Sequence, residues 1–447
     1  MIRNLWSSLI SPTSLRLRFG SGLVFSVVAA GFNSGSTLLV NIFVANLLGR
    51  ETFGEFAIIQ NTLLTLATVA TLATGITATK YVAEFRSIDK PKTSRVLGVC
   101  SALSIGMGSM FALSLLIGAP FLATVVLKAG HLTLGIRLAA LVVFFTVHNF
   151  YQTGALAGLE HYSGIARAGV IGGIAYLVVC VAGALIWGRE GALAGLSIAA
   201  GIQWLSLRYS LRRETARQEL FVDYRGWRDE RELIVKFALP AALSGCSSMP
   251  ALWLANAVLV RQAGGYSQMA LYAAATNLRI VVLLLPNLLN NVGMSVLNNV
   301  RGLGNLKQFR KAFWSNLALT AGVTAISAIV MTAVGPYALV IFGRRFEGGY
   351  PVLVALMVST IFEILMQATY QIVLTHGKMW LSFFAVVFPR DLLVVVLAFV
   401  FAPKSGALGL ALAYTCGAAF GATATALAAL FLSRPRANYA GSLVSPA

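Results

Sequence analysis

Gly49-Arg-Glu-Thr-Phe-Gly54-Glu-Phe56-Ala-Ile-Ile-Gln60-Asn61 recurs, loosened but in register, as Gly265-Tyr-Ser-Gln-Met-Ala270-Leu-Tyr272-Ala-Ala-Ala-Thr276-Asn277, 216 positions further on. Small residues, an aromatic and an asparagine keep their places in both copies. A second pair, Gly191-Ala-Leu-Ala-Gly195-Leu196 against Gly406-Ala-Leu-Gly409-Leu410, repeats at an offset of 215. Two matches at nearly one spacing point to a duplicated chain, and an internal repeat decides an architecture.

The repeated units are helical and lie in lipid. Of the 447 residues 58% are hydrophobic and 11% charged, against about 25% charged in an average soluble protein. Apolar runs long enough to cross a hydrocarbon core of about 30 Å follow one another along the chain. They are continuously apolar, unlike the alternating segments of a membrane barrel. The predicted spans are 22–47, 56–82, 97–120, 133–157, 164–187, 191–209, 233–261, 268–297, 312–341, 351–375, 380–402 and 406–432. The repeat offset equals six spans, and six crossings return the chain to its starting side. The halves are then parallel copies about an axis along the membrane normal. The expected fold class is an all-α membrane protein with about 12 transmembrane helices in two parallel six-helix lobes around a central cavity, a layout suited to alternating access.

A net charge of +19 raises the question of nucleic acid, but the basic residues flank the spans instead of forming one soluble surface. On the side of the N-terminus lie Arg3, Arg16 and Arg18, the group Lys80, Arg86, Lys90, Lys92 and Arg95, then Arg167, the run from Arg208 through Arg225, Arg228, Arg231 and Lys236, and later Arg301, Lys307, Arg310, Lys311, Lys378, Arg434 and Arg436. The other side has fewer: Arg50, Lys128, Arg137, Arg189, Arg261, Arg344, Arg345 and Lys404. This asymmetry predicts both termini in the cytoplasm. The first apolar run is too long for a signal-peptide core and reads as a retained helix. Residues 1–209 are expected to form the first lobe, 210–232 a charged cytoplasmic connector, 233–432 the second lobe and 433–447 a cytoplasmic tail. Cys100, Cys180, Cys246 and Cys416 fall within spans without metal-ligand spacing and read as small packing residues.

Leu47-Leu48-Gly49-Arg50-Glu51-Thr52-Phe53-Gly54-Glu55-Phe56, followed by a helix ending Thr79-Lys80-Tyr81-Val82-Ala83-Glu84-Phe85, resembles the polysaccharide transporter branch of the multidrug, oligosaccharidyl-lipid and polysaccharide exporter superfamily. That branch includes O-antigen and exopolysaccharide repeat-unit flippases. The six-plus-six layout and the Gly158-Leu-Glu-His-Tyr162 loop extend the resemblance over nearly the whole chain. It implies a bacterial inner-membrane flippase, not an enzyme, that moves an undecaprenyl-diphosphate-linked oligosaccharide to the periplasmic leaflet for surface polysaccharides such as lipopolysaccharide. Membrane lipids surround it, and polysaccharide polymerase and chain-length proteins are the partners the resemblance suggests; nucleic acid is not among them. The multidrug exporters of the superfamily are the main alternative, as cation-coupled drug or lipid exporters. They typically carry an acid in the first or seventh helix, and here spans 22–47 and 233–261 have none. A membrane glycosyltransferase or polymerase is a second alternative, disfavoured by the short loops on the side opposite the termini.

Moving a diphosphate headgroup past lipid demands cations, donors and water in a cavity. Arg279, deep in the eighth span, is the first candidate, because its planar fork fits phosphate oxygens bidentately; the competing role is a structural pair with Glu363. Glu363, Gln367 and Tyr370 make a polar stripe spaced i, i+4, i+7 on the tenth span. Arg390 and Asp391 follow Pro389 in the eleventh span. Neighbours point about 100° apart on a helix, so at least one of the two is expected to need another partner. Asn33, Thr37 and Asn41 recur at helical spacing in the first span, Gln60 and Asn61 open the second, and Asn277 sits in the eighth; amides suit sugar hydroxyls and also join membrane helices. His148 is expected to be a hydrogen-bonded packing residue. No nucleotide-binding glycine loop, metal cluster or nucleophile–base pair stands out, so neither cofactor nor metal is expected.

Overall fold

The computed structural model describes residues 15–224, 247–302, 306–375 and 383–433. Outside these lie Arg3, Arg225, Arg228, Arg231, Lys236, Cys246, Lys378, Arg434 and Arg436, with part of the connector, the start of the seventh span and the tail. The described chain is helical: α1 (Leu15–Leu48), α2 (Arg50–Ala70), α3 (Thr74–Phe85), α4 (Lys90–Phe121), α5 (Thr133–Gly158), α6 (Tyr162–Arg217), α7 (Ser248–Val260), α8 (Gly265–Gly302), α9 (Leu306–Val340), α10 (Tyr350–Thr375) and α11 (Phe388–Ser433).

Two of these helices are pairs joined at a hinge. In α6, Trp187 and Gly188 leave helical geometry, Gly188 with φ 61° and ψ −138°. In α11, Gly406 does the same at φ 57° and ψ −130°. These are conformations that glycine adopts without penalty. Counting α2 with α3 as one crossing and α6 and α11 as two each, the described residues make eleven crossings and, in α7, the 13-residue end of the seventh span, consistent with about twelve. The hinges also correct the register of the second repeat. A Cβ on Gly191 would collide with the carbonyl of Gly183, and one on Gly409 with that of Phe401, so Gly191 corresponds to Gly409, and Gly188 to Gly406.

Local chemistry sets the other breaks. Asp89 caps α4 by accepting from the Lys92 amide at 2.9 Å, with Pro91 in the first turn, an arrangement that satisfies an orphan N–H and presets φ. Beyond Pro120 the helix widens into a π-turn, Leu122–Val126, as expected where proline removes a donor. The second predicted span is interrupted at Leu72 and Ala73, with φ of 42° and 54°. The Thr68 and Thr71 hydroxyls donate back to the carbonyls of Leu64 and Thr68, competing with the backbone ladder there.

The helices associate as two bundles. α1 and α5 pack on α6, α4 and α3 on α5; in the second bundle α7 and α10 pack on α11, and α9 on α8 and α10. Between the bundles α8 meets α2 and α1, and α7 meets α2. The outer surface carries Ile117, Ile186, Ile326, Ile329, Phe399 and Leu427, all largely exposed. An apolar girdle of that kind is stable facing lipid and costly facing water.

Candidate substrate cavity

Where α1, α2 and α6 face α7 and α8, a cavity of about 470 Å³ opens between the bundles, within the size range of ligand sites. Helical spacing delivers its polar wall. Asn33, Thr37 and Asn41 stand one above another on α1, Gln60 and Asn61 enter from α2, and Tyr272, Thr276, Asn277 and Arg279 from α8. Of the ten residues selected from the sequence, Asn33, Asn41, Asn61, Asn277 and Arg279 line this cavity, and Glu363, Gln367, Tyr370, Arg390 and Asp391 do not.

Arg279 takes both of its expected positions at once. Its Nη1 donates to Glu363 Oε2 at 2.8 Å, its guanidinium lies 4.6 Å from the centre of the Tyr414 ring, and it still lines the cavity. Tyr414 also donates to Glu363 Oε2 at 3.3 Å. The Arg279 Nε, buried, has no hydrogen-bond partner. A buried donor left unmade costs about 1–3 kcal/mol. A ligand acceptor would recover that cost.

Gln367 accepts from Asn290 at 3.4 Å, away from the cavity lining. Arg390 and Asp391 belong to a separate cluster within the second bundle. Asp391 Oδ2 accepts from Ser247 and Ser248, each at 2.9 Å, and Arg390 Nη2 donates to Ser248 at 2.7 Å. Arg390 also donates through Nε to Asp391 itself at 2.9 Å. The long arginine chain folds back over the 100° between neighbours to reach Asp391, and the two serines are further partners of the kind expected. His148 is buried, its Nδ1 2.8 Å from Ser104 Oγ, among Phe144, Tyr151 and Trp204.

The cavity is shut toward Gly49. Phe53 stands 6.4 Å from Phe342 and 5.9 Å from Phe346 by ring centres, and all three are fully buried. Arg50 donates to the carbonyls of Ser267 at 3.1 Å and Arg345 at 3.3 Å, and Asn46 to that of Ile341 at 2.7 Å. Each of these contacts crosses between bundles. Gly54 is required there, because a Cβ would collide with the Tyr266 carbonyl. Beneath them Glu55, buried one turn inside α2, is held by Arg189 and by His131 at 2.5 Å.

Sequence reading missed Asn256 and Gln203, both of which line the cavity, and the Glu55 cluster. For Asn256 the signal was a lone amide in an otherwise apolar stretch, Ala255-Asn256-Ala257. For Glu55 it was a carboxylate abutting the second predicted span, with Arg189 beside the sixth at the same end.

A helical membrane chain in two bundles around a cavity shut at one end has the fold of the MOP-superfamily transporters. It aligns with an inward-facing multidrug resistance MATE family transporter of that superfamily at a TM-score of 0.78 and 17% identity, over 91% of this chain and 96% of that one. With an outward-facing structure the TM-score is 0.70 at 18% identity, over 94% and 96%. With a Pyrococcus furiosus MOP transporter, described as having a binding pocket of reverse polarity, it is 0.69 at 18%, over 93% and 95%. In sequence the chain is similar to the EPS I polysaccharide export inner membrane protein EpsE of Ralstonia nicotianae, 27% identical over 348 residues, 76% of this chain and 75% of that protein. The EpsE of Ralstonia solanacearum is 27% identical over 346 residues, with the same coverage. No family model matches the chain. Relatives and fold together match a polysaccharide transporter family of the MOP superfamily, as the Gly49–Phe56 motif implied.

Proposed function

We propose that this chain is an inner-membrane flippase that carries an undecaprenyl-diphosphate-linked oligosaccharide from the cytoplasmic to the periplasmic leaflet by alternating access. The observation that carries the reading is Arg279: a buried guanidinium in the cavity between the bundles, clamped on one side by Glu363 and Tyr414 and unpartnered at Nε. Such a group accommodates an anion at membrane depth, where a bare phosphate in hydrocarbon is prohibitively costly. The export of polysaccharide by the EpsE relatives supplies the substrate class. The excess of Lys and Arg on the side of the termini supports a cytoplasmic location for both; with that orientation the shut Gly49 end faces the periplasm and the cavity is in its cytoplasm-loading state. The lobes of the cycle are residues 1–209 and 233–432, joined by the connector.

The test is translocation of an undecaprenyl-diphosphate oligosaccharide in proteoliposomes. Arg279→Gln is expected to abolish flipping, and Arg279→Lys to keep only part of it, because a point charge replaces the bidentate fork. Wild-type flipping by a stably inserted Arg279→Gln protein sinks the phosphate-ligand reading and returns attention to drug export.

A further inference from the structure

Threonine in a membrane helix ordinarily satisfies its own hydroxyl. Those of Thr37, Thr62, Thr68, Thr320, Thr324 and Thr425 each donate to the carbonyl four residues back, the local bond this side chain has within reach. The Thr276 hydroxyl is buried and makes no hydrogen bond. Thr74 and Thr77 share that lack, but Thr276 lines the cavity and they do not. It stands three residues before Arg279, whose Nε is also buried and unpartnered. Tyr272, Thr276 and Arg279 are spaced i, i+4, i+7 and share one face of α8, and all three line the cavity. The Tyr272 hydroxyl lies beside Thr276, outside hydrogen-bonding geometry.

We propose that Thr276 reads the second phosphate of the lipid carrier, so that the cavity takes a lipid diphosphate in preference to a lipid monophosphate. The inference rests on the flippase reading and deepens it. Glu363 already offsets the Arg279 charge at 2.8 Å, so attraction between charges separates the two headgroups only weakly, and placed donors must make the difference. Thr276 and Arg279 are one turn apart, about 4.5 Å of helical rise, a spacing at which two linked phosphates are held at once, one by the hydroxyl and one by Nε. Threonine in a helix has two χ1 rotamers open to it, and Thr276 is only partly buried. A turn about χ1 therefore brings its hydroxyl out to a ligand in the cavity. A buried hydroxyl without a partner destabilises the empty protein, and a phosphate oxygen removes that penalty.

Binding to the purified full-length protein in nanodiscs, with undecaprenyl diphosphate and undecaprenyl monophosphate as probes, tests the proposal. Wild type is expected to bind the diphosphate about tenfold more tightly, the worth of one hydrogen bond to a charged group. T276V exchanges the hydroxyl for a methyl and is expected to reduce that gap to about threefold or less by weakening the diphosphate alone, while T276S keeps it. The empty T276V protein is expected to melt no lower than wild type, because the hydroxyl it loses has no partner. Equal binding of the two lipids by wild type overturns the inference, as does an unchanged gap in T276V. A lowered melting temperature or failed insertion of T276V overturns it too, since the hydroxyl then serves the fold. The flippase reading fails separately, if R279Q binds both lipids as wild type does or if inorganic diphosphate displaces them at equal concentration.

Discussion

At the residue scale, Arg279 and Glu363 illustrate how a functional charge is kept inside a membrane. Their side chains are 12% and 19% exposed, 2.8 Å apart; Arg279 lines the cavity and Glu363 does not, and the Arg279 Nε is buried without a partner. Removing one member of such a pair leaves the other buried and uncompensated, a loss of about 3–5 kcal/mol in the dry limit, and contact with a wet cavity places this pair toward the lower figure. Arg279→Ala is therefore expected to lower the melting temperature in detergent, and adding Glu363→Gln to restore most of it without restoring flipping. Rescue of both together would show that the arginine serves the fold alone. This pair was legible in the sequence because lone ionisable residues in apolar spans are rare and seek each other. That Arg390 also reaches Asp391 was not legible, because helical phase describes where Cα–Cβ bonds point, not where a long flexible side chain ends. The bonds from Asn41 to Asn277 and from Asn61 to the Ala57 carbonyl were not legible at all, since the sequence names the amide and not its orientation.

At the element scale, the hinges within α6 and α11 decide how two crossings become one continuous arm. Gly188 and Gly406 share a backbone conformation that an L-residue enters at a cost of about 1–3 kcal/mol. Their surroundings differ. A Cβ at Gly188 meets nothing within 4 Å, whereas at Gly406 it would stand 2.7 Å from Gln268 Oε1, which accepts from the Ala407 amide at 3.1 Å. Gly188→Ala is expected to cost backbone strain alone. Gly406→Ala should cost that strain and the displaced Gln268 as well, so thermal unfolding should rank wild type above Gly188→Ala and Gly188→Ala above Gly406→Ala; the reverse order of the two variants would show that the Gln268 bond contributes nothing. Hydropathy located the crossings on either side of both hinges, because span length is dictated by the bilayer. It could not locate the break between α2 and α3, which contains neither proline nor glycine and depends on threonine hydroxyls bonding backward. It also set the second repeat three residues out of register, since glycine, alanine and leucine are common enough here to match by composition.

At the scale of the whole molecule, hydrogen bonds between the bundles lie from Asn41 and Thr62 toward Gly49: Asn41 to Asn277, Trp253 to Thr62, Asn46 to the Ile341 carbonyl, Arg50 to the carbonyls of Ser267 and Arg345, and Tyr266 to the Leu127 carbonyl. A carrier working by alternating access must break the outermost of these in every cycle, and they are built to be broken. The bonds from Asn46 and Arg50 end on backbone carbonyls, which water satisfies as well when the gap opens, so each contributes only about 0.5–1.5 kcal/mol net, somewhat more for the charged Arg50. The Phe53, Phe342 and Phe346 cluster supplies the apolar part of the seal. A covalent link across this end removes the opening without touching Arg279 or the amide wall. Asn46→Cys paired with Ile341→Cys, in a background where the exposed Cys416 and Cys246 are serine, is expected to cross-link in the resting protein with a short bifunctional thiol reagent. Flipping should then stop, while binding of a lipid diphosphate from the open side survives. A disulfide formed at the same pair should restore transport on reduction. Full flipping with the link shown to be closed would mean that the substrate leaves by some route other than the Gly49 end, and the rocking of two lobes would have to be abandoned in favour of passage along the outside of the bundles.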